Sequence, residues 1–247
     1  MRISITLTAF FLATASIASA APPKPVLTEI DGKGYHFEYS YPAVAQQYPL
    51  LVREIERLKT AQHEELKEMG EDWIKSDPEG TKTSKMETDT SWQTVTDLPG
   101  YLSLTTNSWS FTGGAHGNWW RSSLVWDKTA SKVLQPIDIF TSNAAFDRLV
   151  QMRYCDKLDI QRSEKRDGEK VDRRKTDDWT QACPKPSEQV LILGSSNGKQ
   201  FNRFSIYAGP YAAGPYSEGE YEIDLTFDKK LLAIVKPQFR PSFALSR

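Results

Sequence analysis

The 247-residue chain holds only two cysteines and three histidines. A thiolate zinc site would usually need two further ligands. His36, His63 and His116 are dispersed, with no H-x-H or H-x-x-x-H spacing, so no metal is expected. Charge of one sign is also lacking. Thirty-one basic residues face 32 acidic ones, for a net charge of −1, which becomes −2 once Arg2 leaves with a leader. That balance gives no pull toward nucleic acid or an anionic membrane surface. There is no G-x-S-x-G, no phosphate loop and no dinucleotide fingerprint. Asp172–Asp178 lacks the calcium-loop pattern. No catalytic constellation and no cofactor are therefore expected. Beyond the first 20 residues, no run is apolar enough to span a bilayer.

Met1–Arg2 is a short positive start, Ile3–Ile17 is largely apolar and uncharged, and Ala18-Ser19-Ala20 is an A-x-A cleavage signal. This pattern predicts a signal peptide at residues 1–20. The mature product is then expected in the periplasm or outside the cell, with no membrane span after cleavage. In such an oxidising compartment, Cys155 and Cys183 are most simply a disulfide.

The remaining 227 residues read as α+β. Tyr35–Tyr41 places aromatics at every second position, a strand with one buried face. A long amphipathic helix follows, with a stripe of Tyr48, Leu51, Ile55, Leu58, Leu66, Met69 and Trp73, and with Gln62 filling its gap. Glu79–Thr90 reads as polar and turn-prone. Ser91–Leu98, Tyr101–Phe111 and Trp119–Asp127 read as strands, and Asn143–Lys157 as a helix. Asp159–Asp178 carries seven basic and seven acidic residues, a self-cancelling excursion that reads as solvated. Val190–Leu193, Phe201–Tyr207 and Tyr221–Phe227 are further strands, and Lys229–Val235 a final helix capped by Asp228. The expectation is two small domains, residues 21–107 and 108–247, each an antiparallel or mixed sheet packed against helices.

The most informative stretch is Ser108–Arg121, SWSFTGGAHGNWWR. It packs a Gly-Gly pair, a histidine and three tryptophans into 14 residues. The pair Gly113-Gly114 gives the backbone access to φ > 0 for a tight turn between strands. Period-two alternation puts Trp119 and Trp120 on opposite faces, one toward the core and one toward solvent. Tyr207–Gly219, rich in Gly, Pro and Tyr, offers Tyr207, Tyr211 and Tyr216 as a second aromatic patch, stiffened by its prolines.

The run Phe111–Gly117 resembles the GGAHG signature of a domain of unknown function found in RsiV-type anti-sigma factors and PdaC-type peptidoglycan deacetylases. Leu134–Phe140 fills the place of that family's Leu-x-Asp-Leu-Phe element. Tyr207–Pro215 resembles its Tyr/Pro/Ala/Gly segment. The preceding strand, long helix and two strands resemble the domain usually placed before it. Neither a sigma-binding part nor a deacetylase domain is expected from these residues. The resemblance implies the sensor-like portion alone, which in anti-sigma members recognises lysozyme.

The expected function is thus exported, non-enzymatic recognition. The partner would be a lysozyme-like muramidase or other envelope protein, or a peptidoglycan fragment. Contact would come from Gly113, Gly114, His116, Trp119, Trp120, Tyr207, Tyr211 and Tyr216. Two rivals stand beside it. One is a cell-wall hydrolase using His116 with Asp97, Asp127 or Asp138. The other is a structural envelope protein.

Overall fold

A computed structural model describes residues 24–77, 84–175 and 177–246. The leader expected at residues 1–20 lies outside the described residues. Two strands, β1 (Val26–Gly32) and β2 (Tyr35–Tyr41), pair as a hairpin. The turn-type pair Asp31-Gly32 lies inside β1, and the hairpin turns at Lys33-Gly34, where Gly34 takes φ 84°. Helix α1 (Pro49–Lys75) follows, with Pro49 in its first turn, where a missing N–H costs nothing.

Strand β3 (Met86–Asp97) then returns parallel to β2, so α1 is the crossover. The polar stretch read as turn-prone contains the first five residues of β3. Strands β4 (Tyr101–Phe111), β5 (Asn118–Trp120), β6 (Ser123–Asp127) and β7 (Lys132–Leu134) complete a mixed sheet in the order β1-β2-β3-β4-β6-β7. β5 and β6 follow one another along the same edge of β4. Between them the Ser122 amide donates to Thr106 Oγ1 at 2.8 Å, and Thr105 Oγ1 donates to Ser122 O at 3.0 Å. The single strand expected over Trp119–Asp127 is thus broken at Arg121-Ser122. The boundary drawn at 107/108 falls within β4.

Helix α2 (Asn143–Lys165) starts at Ser142, whose hydroxyl caps the Ala145 amide. It continues eight residues past its expected end, into the charged excursion. A small antiparallel sheet follows, β10-β9-β8, built from β8 (Val190–Gly194), β9 (Arg203–Ala208) and β10 (Tyr221–Thr226). The short helix α3 (Lys229–Ala233) is capped by Asp228, as expected. The fold is α+β, with a mixed sheet and a separate small antiparallel sheet.

Alternation along the strands sets the two cores. Leu124 and Trp126 of β6 join Phe37, Tyr39, Leu51, Ile55, Leu102 and Leu104 under α1. Val125, between them, joins Phe146, Tyr154, Leu193, Phe204 and Ile223 on the other side, with α2 and the second sheet. Cys155 and Cys183 form a disulfide that ties α2 to the end of the excursion, compatible with an extracytoplasmic protein. Among the described residues, no helix is long and apolar enough to cross a membrane.

Candidate functional site: a four-ring patch

Between β4 and β5, Gly113 and Gly114 adopt φ 92° and 96°. Only glycine occupies that backbone without strain. The bend leaves His116 exposed. Its Nδ1 lies 3.0 Å from Gly117 O, so the tautomer with a proton on Nδ1 donates there. Gly117 is the tighter constraint. A Cβ built on it would meet Trp109 Nε1 at 2.5 Å and Ser110 O at 2.7 Å.

The second element arrives from the loop after β9. Tyr216 Oη donates to Gly117 O at 2.6 Å. Its ring stacks on the His116 imidazole, with centroids 3.7 Å apart and planes 18° from parallel. Trp119 meets the same ring at 5.2 Å and Tyr211 at 5.7 Å. Tyr211 is 53% exposed and sits at φ 66°, unusual for a non-glycine residue. His116, Trp119, Tyr211 and Tyr216 thus form one patch of touching rings from two distant segments.

The loop carrying Tyr211 and Tyr216 is held from α2. Fully buried Arg162 donates to Ala213 O and to Ala182 O, each at 2.7 Å. Burial pushes its guanidinium pKa down, opposed by Asp159. Arg166 binds Glu218 with two bonds of 2.8 and 2.9 Å, and Tyr221 Oη donates to the same carboxylate. Burial would raise the Glu218 pKa, but these donors and the Arg166 charge hold it below the usual carboxylate range.

Two residues grouped with this surface by sequence lie elsewhere. Tyr207 is 2% exposed, in β9 rather than on the loop. Its hydroxyl donates to Glu220 Oε2 at 2.8 Å, and the Arg121 guanidinium sits 5.0 Å from its ring centre. Period-two alternation puts it on the β9 face of Arg203 and Ser205, opposite Phe204 and Ile206, and Arg121 and Glu220 cover it there. Trp120 turns away from the ring patch. It lines a groove between α1 and the mixed sheet. Both Trp119 and Trp120 are half-buried, so neither is the core residue expected.

Of the carboxylates considered as partners for His116, Asp97 and Asp127 are engaged elsewhere, and no contact joins any of the three to His116. Asp97 pairs with Lys128. Asp127 Oδ1 accepts the Thr129 and Ala130 amides at 3.0 and 2.9 Å. Lys236 Nζ donates to the backbone carbonyl of Asp138. His36 lies beside Asp31, and His63, on α1, lies beside Tyr35 of β2. Among the described residues, no group of three or more His, Cys, Asp or Glu is placed to hold a metal.

Residues 29–119 match the family model described as Deacetylase PdaC. Two crystal structures share the fold. A DUF3298 family protein from Pseudomonas aeruginosa PAO1 is 16% identical, with a TM-score of 0.53, covering 93% of this chain and 99% of that one. A DUF3298 family member from Bacteroides fragilis is 14% identical, with a TM-score of 0.53, covering 88% of this chain and 98% of that one. No curated protein matches the chain. Residues 29–119 are thus similar to the PdaC family model, and the fold is shared with the two DUF3298 structures.

Proposed function

We propose that this is an exported, non-enzymatic recognition protein whose ring patch docks a cell-envelope partner. A lysozyme-like muramidase is the protein partner to try first, and a cell-wall glycan is the second candidate. The observation that carries the reading is the stack of His116 on Tyr216, flanked by Trp119 and Tyr211. Large aromatic side chains held in place lose little entropy on contact and dominate binding energy at interfaces. Arg162 and the Arg166–Glu218 pair fix the loop, so a partner meets a preformed surface.

The test is capture of envelope proteins and peptidoglycan fragments by the immobilised protein, followed by affinity measurement with purified lysozyme. Tyr211→Ala and His116→Ala should weaken a captured partner by about tenfold or more while leaving the fold intact. A capture that both variants leave unchanged rejects the patch. Release of peptidoglycan fragments that His116→Ala abolishes would establish the hydrolase instead.

A further inference from the structure

We propose that the groove between α1 and the mixed sheet is a second binding site, for a short neutral oligosaccharide segment. It does not depend on the ring patch. Along α1, Leu51, Ile55, Leu66 and Gly70 are buried. Between Ile55 and Leu66 no residue is fully buried, and the inward position is taken by Gln62. There one flank of the helix, with Leu58, Ala61 and Gln62, faces an open groove. The groove has a volume of about 680 Å³, within the roughly 300–1,000 Å³ of ordinary ligand sites.

The sheet changes character at the same place. The face of β4 toward α1 presents Leu102 and Leu104, then Thr106 and Ser108, all at most 6% exposed. Opposite Ser108 on β3 stands Thr90, 3% exposed. Its hydroxyl lies 3.1 Å from both Gln62 Oε1 and Ser108 Oγ. Gln62, Thr90, Thr106 and Ser108 therefore form a polar floor beside the apolar Leu102 and Leu104. Buried hydroxyls cost free energy unless partnered. A floor of them disfavours a lipid chain and favours a ligand that both donates and accepts hydrogen bonds.

The walls complete the chemistry. Trp120 offers an aromatic face, and Gln135 and Gln189 bring amides from the opposite lip. An indole face packs the C–H side of a sugar ring. Both guanidiniums on the rim are already matched, and Glu65 adds a further carboxylate. Arg57 holds Glu54 with bonds of 2.9 and 2.6 Å, and Arg121 holds Glu222 at 3.0 Å. Guanidiniums spent on carboxylates leave little attraction for a phosphate or polyanion. Hydroxyls, amides, an indole and no free cation among the described rim residues together select a neutral saccharide over an anionic ligand.

The test is calorimetric titration of the protein with chitotetraose and cellotetraose. Saturable binding of at least one is expected. Trp120→Ala and Gln62→Leu should each weaken it by about tenfold or more. Ala61→Trp should block it, because position 61 is exposed on the helix at the groove lip and a large side chain there fills the site without entering the core. This variant carries the test even if Trp120→Ala fails to fold. No saturable binding of either sugar overturns the proposal. So does binding that Ala61→Trp leaves intact, or binding lost only in Tyr211→Ala, which would move the sugar to the ring patch.

Discussion

Arg162, with no exposed surface, donates its Nε hydrogen to the carbonyl of Ala213 at 2.7 Å. The same guanidinium reaches Ala182 O, one residue before the disulfide. One buried cation thus joins α2, the loop bearing Tyr211 and the end of the charged excursion. Arg162→Ala leaves two carbonyls without a donor. We expect a loss of about 3–5 kcal/mol in urea unfolding. Arg162→Lys should recover only part, because a single ammonium lacks the planar fork that spans both carbonyls.

Gly117 is a prediction about close approach. Trp109 Nε1 and Ser110 O leave no room for a methyl group. Gly117→Ala should cost about 1–3 kcal/mol by overpacking. It should also separate the His116 and Tyr216 rings, because Gly117 O is their shared acceptor. The check is thermal unfolding together with near-ultraviolet circular dichroism.

Tyr211 holds a left-handed backbone that a non-glycine side chain occupies at a cost of about 1–3 kcal/mol. Tyr211→Gly removes that cost along with the exposed ring. Stability should stay within about 1 kcal/mol of the parent. Partner capture should fall as in Tyr211→Ala. Stability and capture moving down together would make Tyr211 a folding residue.

Acid should loosen the same loop. The Glu218 pKa is depressed in the folded state. Its contribution is full above the carboxyl's unfolded pKa and is lost as pH falls through the folded one. Between neutral pH and about pH 3, the parent should lose more stability than Glu218→Gln, which has no charge to lose. Denaturant midpoints across that range provide the comparison. Equal losses would show that the Arg166–Glu218 pair contributes nothing.

The parts of the fold with local periodicity were legible. The α1 stripe, the aromatic alternation of β2, the Asp228 cap and the strands of the second sheet all follow from neighbours along the chain. The start of β3 was not, because its buried face carries Thr88 and Thr90, and hydroxyls read as turn. Tyr207 ends a strand in the sequence pattern and lies in β9 in the structure, but Arg121 and Glu220 cover its outward face, contacts that no pattern in β9 reports. The meeting of Tyr216 with His116 joins segments far apart in sequence, and no spacing rule reports such a contact. The groove left one trace, Gln62 interrupting an otherwise apolar stripe.

The parallel pairing of β2 with β3 carries a cost in time. A hairpin can zip as soon as its turn is made. Strands running the same way must wait until the crossover helix and the returning strand are both available. During synthesis, the edge of β2 therefore stays unpaired until Met86 and the residues after it emerge. A holding chaperone would find its target there, and crowding at that stage would favour aggregation over slow closure.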